Sequence, residues 1–191
     1  MPSRLIPVIT VTMIFLFIQF INTSIYNRNV NELKQTINEM RNKHTNVQEQ
    51  LMRQETFNRQ LECLAMNIYH EARSESYDGQ LAVATVTMNR VDSDKYPKTV
   101  CGVVWQKNNN GCQFSWTCDG KSDRIRNQSA YSKAIDIAEK VLLNGERSYK
   151  IDDDVMYYHA DYVNPNWEER WNAELIAQVD SHKFYRIAYA N

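Results

Sequence analysis

The chain is poor in glycine and has no excess of charge of either sign. Its 191 residues include only 5 Gly, 4 Pro and 4 Cys, and the formal net charge is -1. A composition with 43% hydrophobic and 24% charged residues excludes a collagen-like or disordered chain. A near-neutral chain has no broad basic field to attract phosphates, so nucleic acid is not an expected partner.

Charged residues, glycine, proline and cysteine are distributed unevenly along the chain, and their distribution indicates three regions. Residues 1–21 are nearly free of charge, and residues 22–59 contain no Gly, Pro, Trp or Cys. All of the cysteines and glycines lie beyond residue 60. We therefore predict a transmembrane anchor over 1–21, a helical stalk over 22–59 and a folded domain over 60–191, which is long enough to bury a core.

The first region has the length of a membrane span. Leu5–Ile21 is uncharged and would extend about 26 Å as a helix, close to a hydrocarbon core of about 30 Å. Residues 20–24 offer no good small-residue cleavage site, which favours an uncleaved signal anchor over a secretory leader. A buried helix of a soluble fold is the alternative.

The second region carries an apolar seam with alternating steps of three and four residues, as in a heptad repeat. The seam consists of Tyr26, Val30, Leu33, Ile37, Met40, His44, Val47, Leu51 and Gln54. It includes polar residues, and the flanking Lys34, Arg41 and Lys43 have no acid to pair with. The pattern predicts either a coiled coil with weak self-association or a solitary amphipathic stalk.

The cysteines, Cys63, Cys101, Cys112 and Cys118, allow three pairings, and none of their spacings resembles a zinc site. Behind a membrane anchor, an even number of cysteines indicates an oxidising compartment. We favour Cys63 with Cys101 and Cys112 with Cys118, and hence a domain on the periplasmic or extracytoplasmic side with the N-terminus inside. Free thiols in a reducing cytosol are the alternative.

A glutamate falls on an apolar helical stripe at the start of the domain. Leu61, Leu64 and Ile68 share one helical face, and Glu71 follows Ile68 by three residues. Burial would disfavour the charged carboxylate and raise its pKa, as a general acid requires. By spacing alone, a capping or salt-bridge role beside Arg73 is the simpler interpretation.

The rest of the domain has the pattern of further helices and short strands. Residues 80–91 are apolar around most of a helix, and Asn127–Asn144 is an amphipathic helix that Gly145 ends. Strand-like runs follow at Val155–His159, Leu175–Val179 and Phe184–Ile187. The pattern predicts an α+β domain in which helices dominate.

Aromatic residues are concentrated in predicted loops and short strands, where they are available to stack on sugar rings. They are Trp116, Tyr157, Tyr158, Tyr162, Trp167 and Trp171. Aromatic side chains serve hydrophobic cores more often than ligands, so each one separately is a weak indication of binding.

An ordered series of motifs covers nearly all of residues 60–191. It runs through Leu64–Glu75, Gly79–Ala84, Asn89–Val91, Tyr96–Pro97, Val100–Cys101, Val103–Val104, Gln113–Trp116, Asp119–Gly120, Tyr158–His159, Pro165, Trp167 and His182–Phe184. In this series the chain closely resembles the SleB/CwlJ-type cell-wall hydrolases, which are spore-cortex-lytic enzymes and their bacterial and phage relatives. The anchor and stalk are not part of the likeness.

The resemblance implies a mainly helical, lysozyme-like catalytic domain that cuts peptidoglycan between N-acetylmuramic acid and N-acetylglucosamine, without a metal or cofactor. The family's catalytic glutamate falls on Glu71. Members resemble lytic transglycosylases, in which one acid/base carboxyl suffices because the sugar's 6-hydroxyl is the nucleophile. The implied substrate groove consists of Glu75, Phe114, Ser115, Trp116, Tyr158, His159 and Trp167. Two family glycines near the glutamate are here His70 and Ser74.

Three other functions remain open. A hydrolytic muramidase needs a second carboxylate beside Glu71, for which the candidates are Glu75, Asp78, Asp119 and Asp161. A zinc amidase is disfavoured because His70-Glu71 is not followed by the second histidine of HExxH. A membrane-tethered wall-binding module would leave Glu71 without a role.

Overall fold

The computed structural model describes residues 5–108 and 111–187. It divides into two compact units, Met1–Gln54 and Glu55–Asn191. The second unit begins shortly before residue 60, where the sequence analysis starts the domain.

The first unit is helical throughout its described part, because helix α1 covers Leu5–Ala72. Its side chains are mostly exposed, including Leu33, Ile37 and Met40 of the apolar seam. By length and composition, the N-terminal part of this helix is apolar enough to cross a membrane. The predicted helical conformation of the stalk is therefore present, while membrane crossing and self-association stay predictions.

Helix α2, Tyr77–Asp92, lies between two hydrophobic cores of the second unit. Its Leu81 and Ala84 belong to a core shared with the last turns of α1, whereas Val83 and Val86 belong to a core shared with strands near the C-terminus. Burial on both sides explains why this helix is apolar around most of its circumference.

Two further helices complete the first of these cores. Helix α3 covers Val100–Val104, and the Thr99 side chain caps it by accepting a hydrogen bond from the Gly102 amide. Helix α4 covers Gln128–Asn144 and ends at Gly145 with a φ of 68°, a left-handed conformation that glycine adopts without strain. The sequence predicts this end correctly.

The strands form two small antiparallel sheets. Strands β1 (Lys107–Asn108) and β2 (Gly111–Cys112) pair with each other. Strands β3 (Tyr157–Ala160), β4 (Ala173–Val179) and β5 (His182–Ile187) form a three-stranded sheet in the order β3-β5-β4. The domain is α+β with helices dominating, as predicted. The antiparallel pairing and the β1–β2 hairpin were not predicted, and the ends of β3, β4 and β5 differ from the predicted ones by a few residues.

Asp180 connects the turn between β4 and β5 to the start of α2 through hydrogen bonds. Its Oδ2 accepts hydrogen bonds from the Ser76 amide at 2.8 Å and the Ser76 hydroxyl at 2.6 Å. The approach is close enough that a Cβ on Gly79 would collide with the same carboxylate. Glycine at position 79 therefore permits the sheet to dock against the helix.

Both disulfides have the pairing that the sequence analysis favours. Cys63 is bonded to Cys101, which joins the end of α1 to α3. Cys112 is bonded to Cys118, which closes a short loop around residues 113–117. This loop carries three of the predicted groove residues next to the end of α1.

Candidate active site

Glu71 lies in the last turn of α1, on the helical face that Leu64 and Ile68 bury in the core. The Tyr158 hydroxyl donates a hydrogen bond to Glu71 Oε2 at 3.2 Å. Burial raises the pKa of the Glu71 carboxyl above its ordinary value, and the Tyr158 hydrogen bond and the positive charge of Arg90 offset part of that rise. The geometry thus favours a carboxyl that holds its proton more readily than an exposed glutamate.

Tyr158 reaches Glu71 from strand β3, where its residue pairs with Phe184 of β5. Its ring packs against the rings of Phe184 and His182 at centroid distances of 5.5 and 5.4 Å. Burial raises the pKa of the Tyr158 phenol well above its ordinary value, and the charge of Glu71 raises it further. The phenol therefore stays protonated and acts as a donor to Glu71.

Two cavities meet at Glu71. One has a volume of about 690 Å³ and the other about 720 Å³, and Glu71, Ser115 and Tyr158 line both. We call the first the aromatic cavity, because its wall includes Tyr96, Phe114, Tyr157, Tyr158, Trp167 and Trp171. We call the second the charged cavity, because its wall includes Arg73, Asp119, Lys121, Asp123, Arg124 and Arg126. An extended polymer that occupies both cavities passes Glu71.

Trp167 and Trp171 form one wall of the aromatic cavity. The short helix α5, Trp167–Arg170, places the two indoles in a stack with centroids 5.7 Å apart, and Tyr157 packs against both. Partly exposed aromatic faces of this kind suit sugar rings, whose axial C–H groups pack on them. Trp167, which the resemblance implies for the substrate groove, lines the aromatic cavity, and its contact with sugar stays a prediction.

His159 connects the wall that carries Trp167 to the β3-β5-β4 sheet through hydrogen bonds. Its Nε2 lies 2.8 Å from Glu168 Oε1 and 3.0 Å from the Tyr185 hydroxyl, and that hydroxyl donates to Glu168 Oε2 at 2.9 Å. Burial and the neighbouring Glu168 raise the pKa of Tyr185 to about 12. His159 lines the charged cavity, but its nitrogens are occupied by protein partners, so the structure gives it a positioning role.

Phe114, Ser115 and Trp116 lie side by side in the disulfide loop but have different environments. Ser115 is exposed at the junction of the two cavities, whereas Phe114 and Trp116 are 3% and 7% exposed. The Trp116 indole donates to Asn67 Oδ1 at 3.0 Å. Trp116 lines the charged cavity although most of its surface is buried in the core, and its contact with substrate stays a prediction.

Glu75 does not line either cavity beside Glu71. Its carboxylate accepts hydrogen bonds from the Ser181 hydroxyl at 2.7 Å and the Ser181 amide at 3.2 Å. These bonds hold the β4–β5 turn, so the expectation that Glu75 binds substrate is corrected to a structural role. Of the other carboxylates considered as partners for Glu71, Asp78 pairs with Lys150, and only Asp119 lines one of the two cavities.

Arg90 is a site residue whose role the sequence left undecided. It is 3% exposed and lines the aromatic cavity, and its Nε and Nη2 donate to the Met156 carbonyl at 2.9 and 2.6 Å. Its guanidinium lies over the Phe114 and Tyr96 rings. The sequence feature that could have identified Arg90 as a site residue is its position as a lone cation at the polar end of an otherwise apolar helix.

His70 replaces a family glycine beside Glu71 and stacks on Trp116 with ring centroids 4.4 Å apart. Burial lowers the pKa of the imidazole, and the nearby Asp123 partly opposes this effect. Its Nε2 is buried and has no hydrogen-bond partner among the described residues. Within residues 5–108 and 111–187, no cluster of three or more His, Cys, Asp or Glu side chains suits a metal ion.

Comparisons with known proteins identify the family of the second unit. A family model described as Cell Wall Hydrolase matches residues 74–185, so the match begins just after Glu71. The spore cortex-lytic enzyme of Bacillus subtilis (strain 168) is 27% identical over 128 residues, which are 66% of this chain and 37% of that enzyme. The spore cortex-lytic enzyme of Oceanobacillus iheyensis is 30% identical over 124 residues, which are 65% of this chain and 40% of the relative.

A solved structure has a similar fold. The catalytic domain of the germination-specific lytic transglycosylase SleB from Bacillus anthracis matches with a TM-score of 0.50 and 29% identity, over 66% of this chain and 93% of that domain. The chain spans about two fifths of the length of the curated relatives that it matches. Because the family model covers more than half of the residues, the chain belongs to the SleB/CwlJ-type cell wall hydrolase family.

Proposed function

We propose that this chain degrades peptidoglycan by cleaving the glycan strand between N-acetylmuramic acid and N-acetylglucosamine, with Glu71 as the acid/base. The observation that carries the proposal is a partly buried carboxyl at the junction of two cavities, hydrogen-bonded to Tyr158. Family membership supports a substrate in the cell wall.

In the first step, protonated Glu71 donates its proton to the glycosidic oxygen while the bond from that oxygen to the anomeric carbon breaks. Positive charge develops at the anomeric carbon and the ring oxygen. The raised pKa of Glu71 keeps the acid form populated closer to neutral pH than for an exposed glutamate. The hydrogen bond from Tyr158 occupies Oε2, and no described residue hydrogen-bonds Oε1, which is left for the substrate.

In the second step, the 6-hydroxyl of the same muramic acid residue attacks its anomeric carbon. Glu71, now a carboxylate, takes the hydroxyl proton, which restores the acid and leaves a 1,6-anhydro end. This lytic transglycosylase route needs one carboxyl, and Glu71 is the only carboxylate among the described residues that line the aromatic cavity.

A hydrolytic muramidase is the second candidate. Asp119 lines the charged cavity together with Glu71, so a second carboxylate is available on that side. Asp119 is exposed and lies 3.7 Å from the Lys121 ammonium. The two routes leave different chain ends, an anhydro sugar or a reducing sugar.

The cellular setting forms part of the proposal. The apolar start of α1 anchors the chain in the cytoplasmic membrane with its N-terminus inside, and the domain acts on the wall from the outside. The two disulfides support an oxidising location. Protection of residues 60–191 from protease added to spheroplasts would contradict this orientation.

The role of Glu71 is tested by substitution in the full chain, solubilised in a mild detergent. Glu71→Gln removes the proton donor at nearly constant volume, and we expect cleavage of purified peptidoglycan to fall by about 100- to 10,000-fold. Glu62→Gln is the matched control, because Glu62 is exposed on the same helix and lines neither cavity. Equal activity of the two variants would remove Glu71 from the mechanism.

A further inference from the structure

The charged cavity has an excess of cations on its rim. Arg73, Lys121, Arg124 and Arg126 line it, against Asp119 and Asp123 besides Glu71. Lys121 is near Asp119, but Arg73, Arg124 and Arg126 form no ion pair with any described residue. All three guanidinium groups belong to exposed residues, so they are free to meet an anionic ligand.

Tyr69, which lies on α1 about one helical turn before Arg73, contacts two of the segments that carry these cations. The backbone amides of Arg126 and Asn127 donate to the Tyr69 hydroxyl at 3.2 and 3.1 Å, which fixes the segment that precedes α4. The Arg73 guanidinium lies over the face of the Tyr69 ring, 5.3 Å from its centroid. Tyr69 therefore connects Arg73 to the backbone of Arg126, and both arginines line the cavity that Glu71 also lines.

The aromatic cavity has a different character. Its only cations among the described lining residues are Lys95 and the buried Arg90, whose guanidinium is engaged by the Met156 carbonyl. Aromatic faces suit neutral sugar rings, whereas a rim of unpaired guanidinium groups suits carboxylates, which they bind through paired N–H donors. In peptidoglycan the glycan backbone is neutral, and the free carboxylates are on the peptide stems carried by muramic acid.

This inference rests on the proposed function and names the part of the substrate that the second cavity takes. We propose that the charged cavity binds the peptide stem of the muramic acid next to the scissile bond, with Arg73, Arg124 and Arg126 contacting its carboxylates. The enzyme then distinguishes stem-bearing from stem-free glycan through these three side chains.

The test uses two purified soluble glycan substrates of equal length, both free of phosphate polymers. One retains its peptide stems, and the other has been stripped of them by an amidase. With the full wild-type chain in detergent, we expect a KM about tenfold lower on the stem-bearing substrate, with kcat nearly unchanged. Because exposed charge contacts are screened by ions, raising the salt concentration should shrink that difference.

The variants separate binding of the stem from a general effect on the site. Arg124→Gln and Arg126→Gln should each raise KM about three- to fivefold on the stem-bearing substrate and leave the stem-free substrate unaffected. Lys133→Gln is the control, because it removes one exposed cation from α4 that lines neither cavity. Losses of equal size on both substrates would overturn the inference, since the arginines would then act on Glu71 or on the fold.

Two other results are decisive. If the wild-type chain cleaves both substrates with the same KM, the proposed function stands and the stem site is refuted. If it cleaves neither, the proposed function fails and the inference fails with it. Competition by free wall phosphate polymer, without any preference between the two glycans, would assign the cations to phosphate and contradict a stem site.

Discussion

The Tyr158 hydroxyl lies 3.2 Å from Glu71 Oε2 and donates a hydrogen bond to it, which links strand β3 to the last turn of α1. The two residues are 87 positions apart in the sequence and meet where the aromatic and charged cavities join. This contact orients a carboxyl that burial already makes harder to ionise. Changes to the Tyr158 hydroxyl should therefore affect how activity depends on pH.

Tyr158→Phe should move the alkaline limb of the pH profile to higher pH. In the proposed mechanism cleavage requires protonated Glu71, so activity is expected to fall as pH rises through the pKa of that carboxyl. The Tyr158 hydrogen bond lowers this pKa, and its removal raises it. The measurement is kcat/KM against pH for the wild type and the variant. A limb that stays in place or moves to lower pH would contradict the assignment.

Trp167→Ala should weaken substrate binding more than it slows the chemical step. The indole forms the wall of the aromatic cavity with Trp171 and Tyr157. Loss of one stacking face is expected to raise KM about tenfold. Tyr149→Ala serves as the control, because Tyr149 is 86% exposed and lines neither cavity. A fall in kcat with an unchanged KM would place Trp167 outside the binding surface.

Glu75→Gln should reduce stability while leaving the enzyme active. The substitution weakens the hydrogen bonds from Ser181 and is expected to cost about 1–2 kcal/mol in unfolding free energy. Ser181→Ala breaks the hydroxyl contact and should lower the melting temperature by a similar amount. Loss of activity as complete as in Glu71→Gln would instead make Glu75 a second catalytic carboxylate.

The two disulfides should differ in their contribution to stability. Cys63–Cys101 spans 38 residues and Cys112–Cys118 spans 6. Loop-closure entropy predicts contributions of about 4 and about 2 kcal/mol, respectively. We expect the melting temperature to fall further for the double Cys63→Ala, Cys101→Ala variant than for the double Cys112→Ala, Cys118→Ala variant. The opposite order would show that the short bridge stabilises the folded groove itself.

The sequence predicts the helical part of the fold well, because its signals are local. The end of α4 at Gly145 and the burial of α2 follow from glycine placement and from the spacing of apolar residues. The order β3-β5-β4 was not predicted, because strand pairing depends on contacts between distant residues. The membrane anchor, the lysozyme-like relationship and the coiled coil stay predictions.

Within the site, the family resemblance identified most of the side chains that line the cavities, but it did not predict how deeply each is buried or what it is hydrogen-bonded to. The residues that the resemblance implies for catalysis and substrate binding line one or both cavities, except Glu75; they are Glu71, Phe114, Ser115, Trp116, Tyr158, His159 and Trp167. Glu75 differs because its carboxylate is hydrogen-bonded to Ser181, a partner that the position of Glu75 in the sequence does not reveal. Trp116 lines the charged cavity, but its hydrogen bond to the buried Asn67 could not be predicted either. Hydrogen-bond partners far along the chain decide between a binding role and a structural one.

Mass spectrometry of the fragments that the full chain releases from purified peptidoglycan tests the central claim most directly. Cleavage by Glu71 alone, with the muramic acid 6-hydroxyl as nucleophile, predicts fragments that end in 1,6-anhydro-N-acetylmuramic acid and are absent with Glu71→Gln. Fragments with reducing N-acetylmuramic acid ends would show hydrolysis and implicate a second carboxylate such as Asp119. Free peptides with intact glycan strands would contradict glycan cleavage altogether.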